Sequence, residues 1–212
     1  MKPKIIPIFP TPLYANIVPS DIINPLKPLF DQEPIFSSND EESEANFGLR
    51  SSDSYMLNNP KYSSLKNYVL DQATNYADNI LAYNYINYRF SQSWISYKPP
   101  HKRHIPHKHQ HSFISGVIFY ENKIPNMSNL FFVRGDNYSE DRLSHKIKNI
   151  NPPHIPMEFQ VEYTTNLMIL FPSYLSHGVG TNTTELTRKS LAFNIVPRDG
   201  YGNEYSLNEL KF

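Results

Sequence analysis

The stretch HKRHIPHKHQHSFISGVIFYE (residues 101–121) joins a histidine-rich segment to an apolar run. Five of the chain's eight histidines fall in its first eleven positions, and the run that follows is rich in β-branched and aromatic residues, which is typical of a buried strand. The segment alone is compatible with a solvated basic loop, a structural metal clip or half of a catalytic metal site. Only a matching ligand elsewhere in the chain can discriminate between the three.

Composition limits the classes of function. The chain has 212 residues with 20 basic and 20 acidic side chains, so its size suits one well-buried domain and its charge does not favour nucleic acid or a membrane surface. It contains no cysteine, which excludes disulfides, thiolate metal sites and a cysteine nucleophile. We predict no membrane span, no signal peptide in the proline-broken N-terminus, and a cytoplasmic location, which is the host cytoplasm if the protein is viral.

The pattern of the chain changes near residue 84. The segment NPKYSSLKNYVLDQATNYADNIL (59–81) places apolar residues at three- and four-residue spacing, which predicts an amphipathic helix. Beyond it, several β-rich runs are bounded by turn residues, and this favours a sandwich or barrel braced by helices. We predict a mainly β single domain over residues 1–212, with an N-terminal strand and helices in 1–83 and a β core in 84–200.

One of these runs, YRFSQSWISYK (88–98), has the alternation of a strand with two different faces. Because side chains alternate along a strand, Phe90 and Trp94 are predicted on one face, and Ile95 and Tyr97 on the other.

The histidine spacing suits a metal ion. His107 and His109 are two residues apart, so on a strand both imidazoles point to one face. His177, which follows an apolar run, supplies a distant third ligand. Imidazole and oxygen ligands on one face of Fe(II) leave the opposite positions open for a cosubstrate and dioxygen. His104 and His111 are spare candidate ligands.

The segment TRKSLAFNI (187–195) carries an R-x-S pair, Arg188 and Ser190, at the start of an apolar strand. Two residues apart on a strand, both side chains point to the same face. A guanidinium binds a carboxylate through two hydrogen bonds, and a hydroxyl adds a third. The pair therefore suits the distal carboxylate of 2-oxoglutarate, whose keto-acid end would chelate the metal.

In order and spacing, these motifs resemble those of the Fe(II)/2-oxoglutarate-dependent dioxygenases, and more closely a family of phages and bacteria that is similar to the prolyl 4-hydroxylases. The resemblance extends over nearly the whole chain and rests on the segments 8–14, 93–121, 170–179 and 188–195. It implies a double-stranded β-helix (jelly-roll, cupin-like) fold. It also implies Fe(II), 2-oxoglutarate and dioxygen, with ascorbate as an additional candidate, and hydroxylation of a C–H bond coupled to conversion of 2-oxoglutarate to succinate and carbon dioxide.

The resemblance implies the metal ligands. His107 and His177 would bind iron, while His109 stands where the wider superfamily has Asp or Glu. Three neutral imidazoles leave the charge of Fe(II) uncompensated, which changes its affinity and redox behaviour. The phage-type relatives share H-x-H, so we predict a metal site made of His107, His109 and His177.

The resemblance also implies contacts to the cosubstrate. Arg188 and Ser190 would hold the distal carboxylate of 2-oxoglutarate. Tyr97 and Tyr120 match two tyrosines that contact the cosubstrate in the prolyl hydroxylases. For either tyrosine the alternative is core packing with a satisfied hydroxyl.

The leading hypothesis is an Fe(II)/2-oxoglutarate-dependent dioxygenase (hydroxylase) with an unidentified substrate. A prolyl or other protein side chain is the first candidate, and small molecules are the second. One alternative is a three-histidine dioxygenase of the cupin type, against which the R-x-S pair argues. Another is a non-catalytic or structural viral β-barrel protein with a three-histidine metal site. A basic nucleic-acid patch is disfavoured by the neutral net charge. The sequence does not predict an oligomeric state.

Overall fold

The computed structural model describes residues 10–36, 48–85, 87–135 and 156–212. The helices are α1 (Ser20–Ile23), α2 (Lys27–Asp31) and α3 (Ser63–Asn79). The strands are β1 (Tyr14–Ile17), β2 (Ile35–Phe36), β3 (Leu49–Ser51), β4 (Tyr88–Lys98), β5 (His104–His107), β6 (Ile114–Phe119), β7 (Leu130–Val133), β8 (Glu158–Val161), β9 (Leu167–Pro172), β10 (His177–Val179), β11 (Arg188–Pro197), β12 (Gly200–Tyr201) and β13 (Leu210–Lys211). The helix predicted over 59–81 is confirmed as α3, which a short 3₁₀ turn at Pro60–Tyr62 precedes.

The strands form two facing antiparallel sheets and a small ribbon of β12 and β13. The larger sheet has the order β1-β9-β6-β11-β4-β3-β2, and the smaller sheet has the order β5-β10-β7-β8. From β4 to β11 the chain passes back and forth between the sheets: β4, β6, β9 and β11 lie in the larger sheet, and β5, β7, β8 and β10 in the smaller. This arrangement is a double-stranded β-helix, as predicted.

The larger sheet is covered on both faces. On the outer face lie the helices, and residues of α3 such as Leu65, Val69 and Tyr76 form one core with Ile95 and Leu191 of the sheet. On the inner face lies the smaller sheet, and the side chains between the two sheets form a second core. The inner core contains these residues: Val117, Phe119, Met127, Leu130, Phe132, Val161, Tyr163, Ile169, Phe171 and Val179.

Strand β4 contains an irregularity that changes which face one residue occupies. Asn194 pairs with Gln92, but the next residue, Ile195, pairs with Phe90, so one residue of β4 is unpaired. Such a bulge reverses the alternation of the strand. Phe90 therefore packs in the helix-side core, with its ring 5.5 Å from that of Phe193. The prediction that Phe90 shares the face of Trp94 was wrong for this reason.

The N-terminal part of the chain extends the larger sheet instead of forming a separate layer. β1 pairs with β9, and β3 pairs with β4. Strands from both sides of residue 84 thus share this sheet. The predicted boundary at residue 84 within the single domain stays a prediction. In the described ranges, no helix combines the length and the apolar character that crossing a membrane requires.

Candidate active site

Two of the predicted ligands lie on neighbouring strands of the smaller sheet. His107 is the last residue of β5 and His177 is the first of β10, and the two are direct partners in the register of the sheet. Their ring centroids are 4.4 Å apart. The sheet thus brings together two histidines that are seventy positions apart in the sequence.

The third histidine lies just beyond β5. The main-chain N–H of His109 donates to the carbonyl oxygen of Ser173 at 3.1 Å, and this bond holds the segment against the end of β9. The His109 ring centroid is 4.9 Å from that of His107 and 5.0 Å from that of His177. One ring nitrogen from each of the three histidines lies within 4.8 Å of the other two. The three predicted ligands therefore converge, although His109 is not on the strand as predicted.

The rings of two histidines are oriented by the backbone. Nδ1 of His107 lies 3.0 Å from the carbonyl oxygen of Ile105, and Nδ1 of His177 lies 2.9 Å from that of Leu175. Because a carbonyl oxygen only accepts, each Nδ1 carries a proton, and in a neutral ring Nε2 is then the nitrogen that holds the lone pair. The donor set fits a transition-metal ion such as Fe(II), which accepts imidazole nitrogen.

Burial keeps these imidazoles neutral. Burial, together with the nearby His107, lowers the pKa of His177 to about 3 and that of His109 to about 4. Burial also lowers the pKa of His107. At neutral pH the rings are therefore in the unprotonated form that binds metal ions.

The two spare histidines differ in position. His104 lines the same cavity, and its ring stacks on that of His107 with centroids 4.2 Å apart and planes inclined by 16°. His111 is exposed, has a backbone φ of 60°, and does not line the cavity. His104 is thus a neighbour of the three-histidine cluster, and His111 is not.

The histidines open onto a cavity between the two sheets. Its other walls include Trp94, Val117, Phe171, Arg188 and Ser190. Because Arg188 and Ser190 are alternate residues of β11, they point to the same face of the larger sheet, as the sequence predicts. The predicted metal ligands and the predicted R-x-S pair therefore share one cavity.

Arg188 is a buried cation, with only 3% of its surface exposed. Its guanidinium carbon lies 5.1 Å from the ring centroid of Phe119 and 5.5 Å from that of Tyr163. Within the described residues, Nε of Arg188 has no hydrogen-bond partner and no carboxylate forms an ion pair with the guanidinium. Burying a charge in this way is costly unless an anion accompanies it. The position is therefore suited to an anionic ligand.

Lys98 is a second buried basic residue, which sequence reasoning missed. It is the direct partner of Arg188 across β4 and β11, is fully buried, and its Nζ donates to Ser96 Oγ at 3.2 Å. Burial and the charge of Arg188 lower the pKa of Lys98 to about 7. Strand alternation could have identified it, because Lys98 lies two and four positions after Ser96 and Trp94 on the inner face.

The structure does not bring the two predicted tyrosines to the cavity. Tyr97 and Tyr120 belong to the helix-side core, so the sheet separates them from the histidines. The Tyr97 hydroxyl lies 3.5 Å from the carbonyl oxygen of Glu33, and the Tyr120 ring packs 5.0 Å from that of Phe30. Both rings pack in the core, as the alternative states, but the buried Tyr120 hydroxyl has no hydrogen-bond partner among the described residues. We do not retain a cosubstrate contact for either residue.

Comparison with known proteins identifies the family of the chain segment that carries the site. Residues 92–194 match the sequence model of a family described as "Putative 2OG-Fe(II) oxygenase", where 2OG denotes 2-oxoglutarate. Residues 92–194 belong to this oxygenase family. The match includes the three histidines, Arg188 and Ser190. No curated protein sequence matches this oxygenase significantly.

Several solved structures share the fold of this oxygenase. A Pseudomonas putida prolyl-4-hydroxylase has a TM-score of 0.57 at 14% identity, over 87% of this chain and 92% of the other. HygX from Streptomyces hygroscopicus, with nickel, 2-oxoglutarate and hygromycin B bound, has a TM-score of 0.60 at 11% identity, over 88% and 83%. The 2-oxoglutarate-dependent carbocyclase SnoK from nogalamycin biosynthesis has a TM-score of 0.62 at 14% identity, over 90% and 82%. At these identities the likeness shows a common fold.

Proposed function

We propose that His107, His109 and His177 bind Fe(II) in this oxygenase, and that Arg188 and Ser190 bind the distal carboxylate of 2-oxoglutarate. The observation that carries the proposal is the convergence of both sets of side chains, from separate strands of two sheets, on one cavity. A site without a dicarboxylate cosubstrate would not need a buried guanidinium at this depth. The cupin-type alternative is less well supported for that reason.

Charge balance supports the proposed cosubstrate. The three imidazoles are neutral, so they leave the positive charge of a divalent metal uncompensated. Arg188 adds a further buried positive charge. 2-Oxoglutarate is a dianion, and its two carboxylates would compensate the metal at one end and the guanidinium at the other.

The chain's own residues would position the reactants and exclude water. Arg188 would offer two parallel N–H donors and Ser190 one O–H donor, which together fix the distal end of the cosubstrate. Val117, Phe171 and Trp94 give the cavity an apolar wall beside the histidines. When bound, iron, 2-oxoglutarate and dioxygen supply the oxidising chemistry, in which a substrate C–H becomes C–OH while 2-oxoglutarate becomes succinate and carbon dioxide.

For the substrate, we propose a prolyl or other protein side chain. The fold shared with a prolyl-4-hydroxylase supports this choice. A fold alone does not fix a substrate, and small molecules are the competing class. A cytoplasmic location, predicted from the sequence, remains part of the proposal.

Calorimetric titration of 2-oxoglutarate into the anaerobic Fe(II) protein tests the site, with a redox-inert divalent metal as a cross-check. The parent should bind 2-oxoglutarate. Arg188→Ala should bind it at least about tenfold more weakly, because charged hydrogen bonds contribute about 1.5–3 kcal/mol each. Arg198→Ala, in which an exposed arginine beyond the end of β11 is removed, is the matched control and should bind like the parent. If the metal-loaded parent binds no 2-oxoglutarate, the proposed function is wrong.

Succinate formation tests the substrate class. Proline-containing peptides should raise the rate of succinate release above the uncoupled background, and the product should gain the mass of one oxygen atom. The same peptides with proline replaced by alanine are the control. A rate that rises only with small molecules would replace the protein side chain by that class while leaving the metal and cosubstrate assignments intact.

A further inference from the structure

The three histidines are not held in the same way. Backbone carbonyls fix the Nδ1 proton of His107 and of His177. For Nδ1 of His109 the described residues offer a side-chain amide instead, with Nδ2 of Asn194 at 3.3 Å. An amide differs from a carbonyl because it can either donate or accept. The proton position on His109 therefore depends on the orientation of Asn194.

Asn194 is the end of a buried chain of polar side chains. Its Oδ1 accepts a hydrogen bond from Ser115 Oγ at 2.9 Å, and Ser115 Oγ lies 2.8 Å from Ser173 Oγ. Asn194 is 4% exposed, and Ser115 and Ser173 are 1% and 0% exposed. The main-chain carbonyl oxygen of Ser173 also accepts the main-chain N–H of His109, so both ends of this chain of side chains lie beside the same histidine segment.

The hydrogen bonds of this chain can run in either of two directions. In the arrangement described, Ser115 donates to Asn194, and the Asn194 amide nitrogen donates to Nδ1 of His109. His109 then carries its proton on Nε2, which prevents Nε2 from binding a metal. After a half turn of the amide, Nδ1–H of His109 donates to Oδ1, the amide nitrogen donates to Ser115, and Ser115 donates to Ser173. Serine hydroxyls support both directions because they donate and accept.

We propose that Asn194 is the positioning residue of the third metal ligand. With metal bound, its Oδ1 accepts the Nδ1 proton of His109 and so directs the Nε2 lone pair to the metal. The amide nitrogen of Asn194 then donates to Ser115, and Ser115 donates to Ser173. The inference rests on the proposed function, because it requires His109 to be a ligand. A carboxylate ligand has no tautomer that must be fixed. The need for Asn194 therefore arises only where a histidine takes the place of that carboxylate.

The position of Asn194 on its strand agrees with this role. Arg188, Ser190 and Asn194 lie on β11 at an even spacing, so all three face the space between the sheets. One strand would then contribute the cosubstrate contacts at its beginning and orient the metal ligand further along. If Asn194 oriented no ligand, an apolar residue at this position would make the protein more stable, because unneeded polar groups in a core cost stability.

Zinc affinity, measured by competition with a chelator, tests the proposal together with long-range ¹H–¹⁵N spectra that report the histidine tautomers. In the zinc-loaded parent, His109 should carry its proton on Nδ1. Asn194→Leu should weaken zinc binding by roughly 10–100-fold, as is usual when the outer hydrogen bond of a ligand is lost. Ser115→Ala should weaken it less, and Ser128→Ala, which removes a buried hydroxyl without a partner among the described residues, should leave it unchanged.

Asn194→Asp keeps the shape of the side chain and can only accept at neutral pH, so it decides the outcome if Asn194→Leu does not fold. The proposal predicts zinc affinity equal to or above that of the parent, with the His109 proton on Nδ1. A tenfold loss in Asn194→Asp, or parent-like zinc affinity in a folded Asn194→Leu, would overturn it. If the parent itself binds no zinc through these histidines, the proposed function fails first, and this result is distinct from a failure confined to Asn194.

Discussion

The two faces of the larger sheet use the same strands for different purposes. On the helix side, Ile95 and Leu191 are fully buried in an apolar core. On the side that faces the smaller sheet, the same two strands bury Lys98, Arg188 and Asn194. Apolar burial stabilises a fold, whereas burial of polar and charged groups costs free energy unless each is compensated. The outer face therefore contributes stability, whereas the inner face buries polar and charged groups, among them Arg188, whose Nε has no hydrogen-bond partner in the described residues.

The largest expected effect is on the outer face. Leu191→Ala should lower the free energy of unfolding by about 2–5 kcal/mol, because it opens a cavity in the helix-side core. Chemical denaturation of the metal-free protein measures this. The number of metal ions bound per folded chain should stay at one. Loss of the metal site together with stability would mean that the two faces are not separable.

The next effect concerns Lys98, whose removal should stabilise the protein. Lys98→Met should raise the free energy of unfolding at pH 6, because burial disfavours the charged form that Lys98 takes below its lowered pKa. The pKa of Lys98 is lowered to about 7 from 10.5, so between these values the unfolded chain binds a proton that the folded chain does not. The stability of the parent thus rises with pH across this window.

Denaturation of both proteins from pH 6 to pH 10 provides the measurement. The advantage of Lys98→Met should be full below pH 7 and should shrink towards pH 10.5. A constant difference across this range would show that Lys98 does not titrate in this window.

Arg188 separates ligand binding from stability. Arg188→Met should weaken 2-oxoglutarate binding by about 1.5–3 kcal/mol or more, while the free energy of unfolding of the ligand-free protein should stay the same or rise. Calorimetry and denaturation of the same preparation measure the two quantities. A fall in both would indicate that Arg188 is a structural cation whose partner lies within the protein.

The smallest effect concerns Ser190, the neighbour of Leu191 on the opposite face. Ser190→Ala should weaken 2-oxoglutarate binding by about 0.5–1.5 kcal/mol, roughly two- to tenfold, because one neutral hydrogen bond is lost. Its free energy of unfolding should change far less than that of Leu191→Ala. If Ser190→Ala and Leu191→Ala destabilised the protein equally, the proposed difference between the two faces of the sheet would be wrong.

Part of the site was predictable because it is encoded in local spacing. H-x-H, the lone His177 and R-x-S each describe side chains that a strand directs to one side, and the family resemblance links them. The sequence could not show that His109 would lie beyond the end of β5, because strand ends depend on pairing with β10.

Other features depend on contacts between distant strands, which no local pattern contains. The bulge that turns Phe90 to the helix side becomes visible only in the pairing of β4 with β11. The hydrogen bonds from Ser173 through Ser115 to Asn194 join three strands. Tyr97 was misplaced for a different reason. Its alternation with Trp94 indicates the outer face, whereas the resemblance implies a cosubstrate contact on the inner face.

Titration of Fe(II) into the anaerobic metal-free protein tests the central claim most directly. The parent should bind one ion per chain, and His111→Ala, which removes an exposed histidine of the same segment, should bind it equally well. His177→Ala should bind it roughly 100-fold more weakly or worse, since loss of a ligand exceeds the loss of an outer hydrogen bond. Binding by His177→Ala as tight as that of the parent would contradict the three-histidine centre.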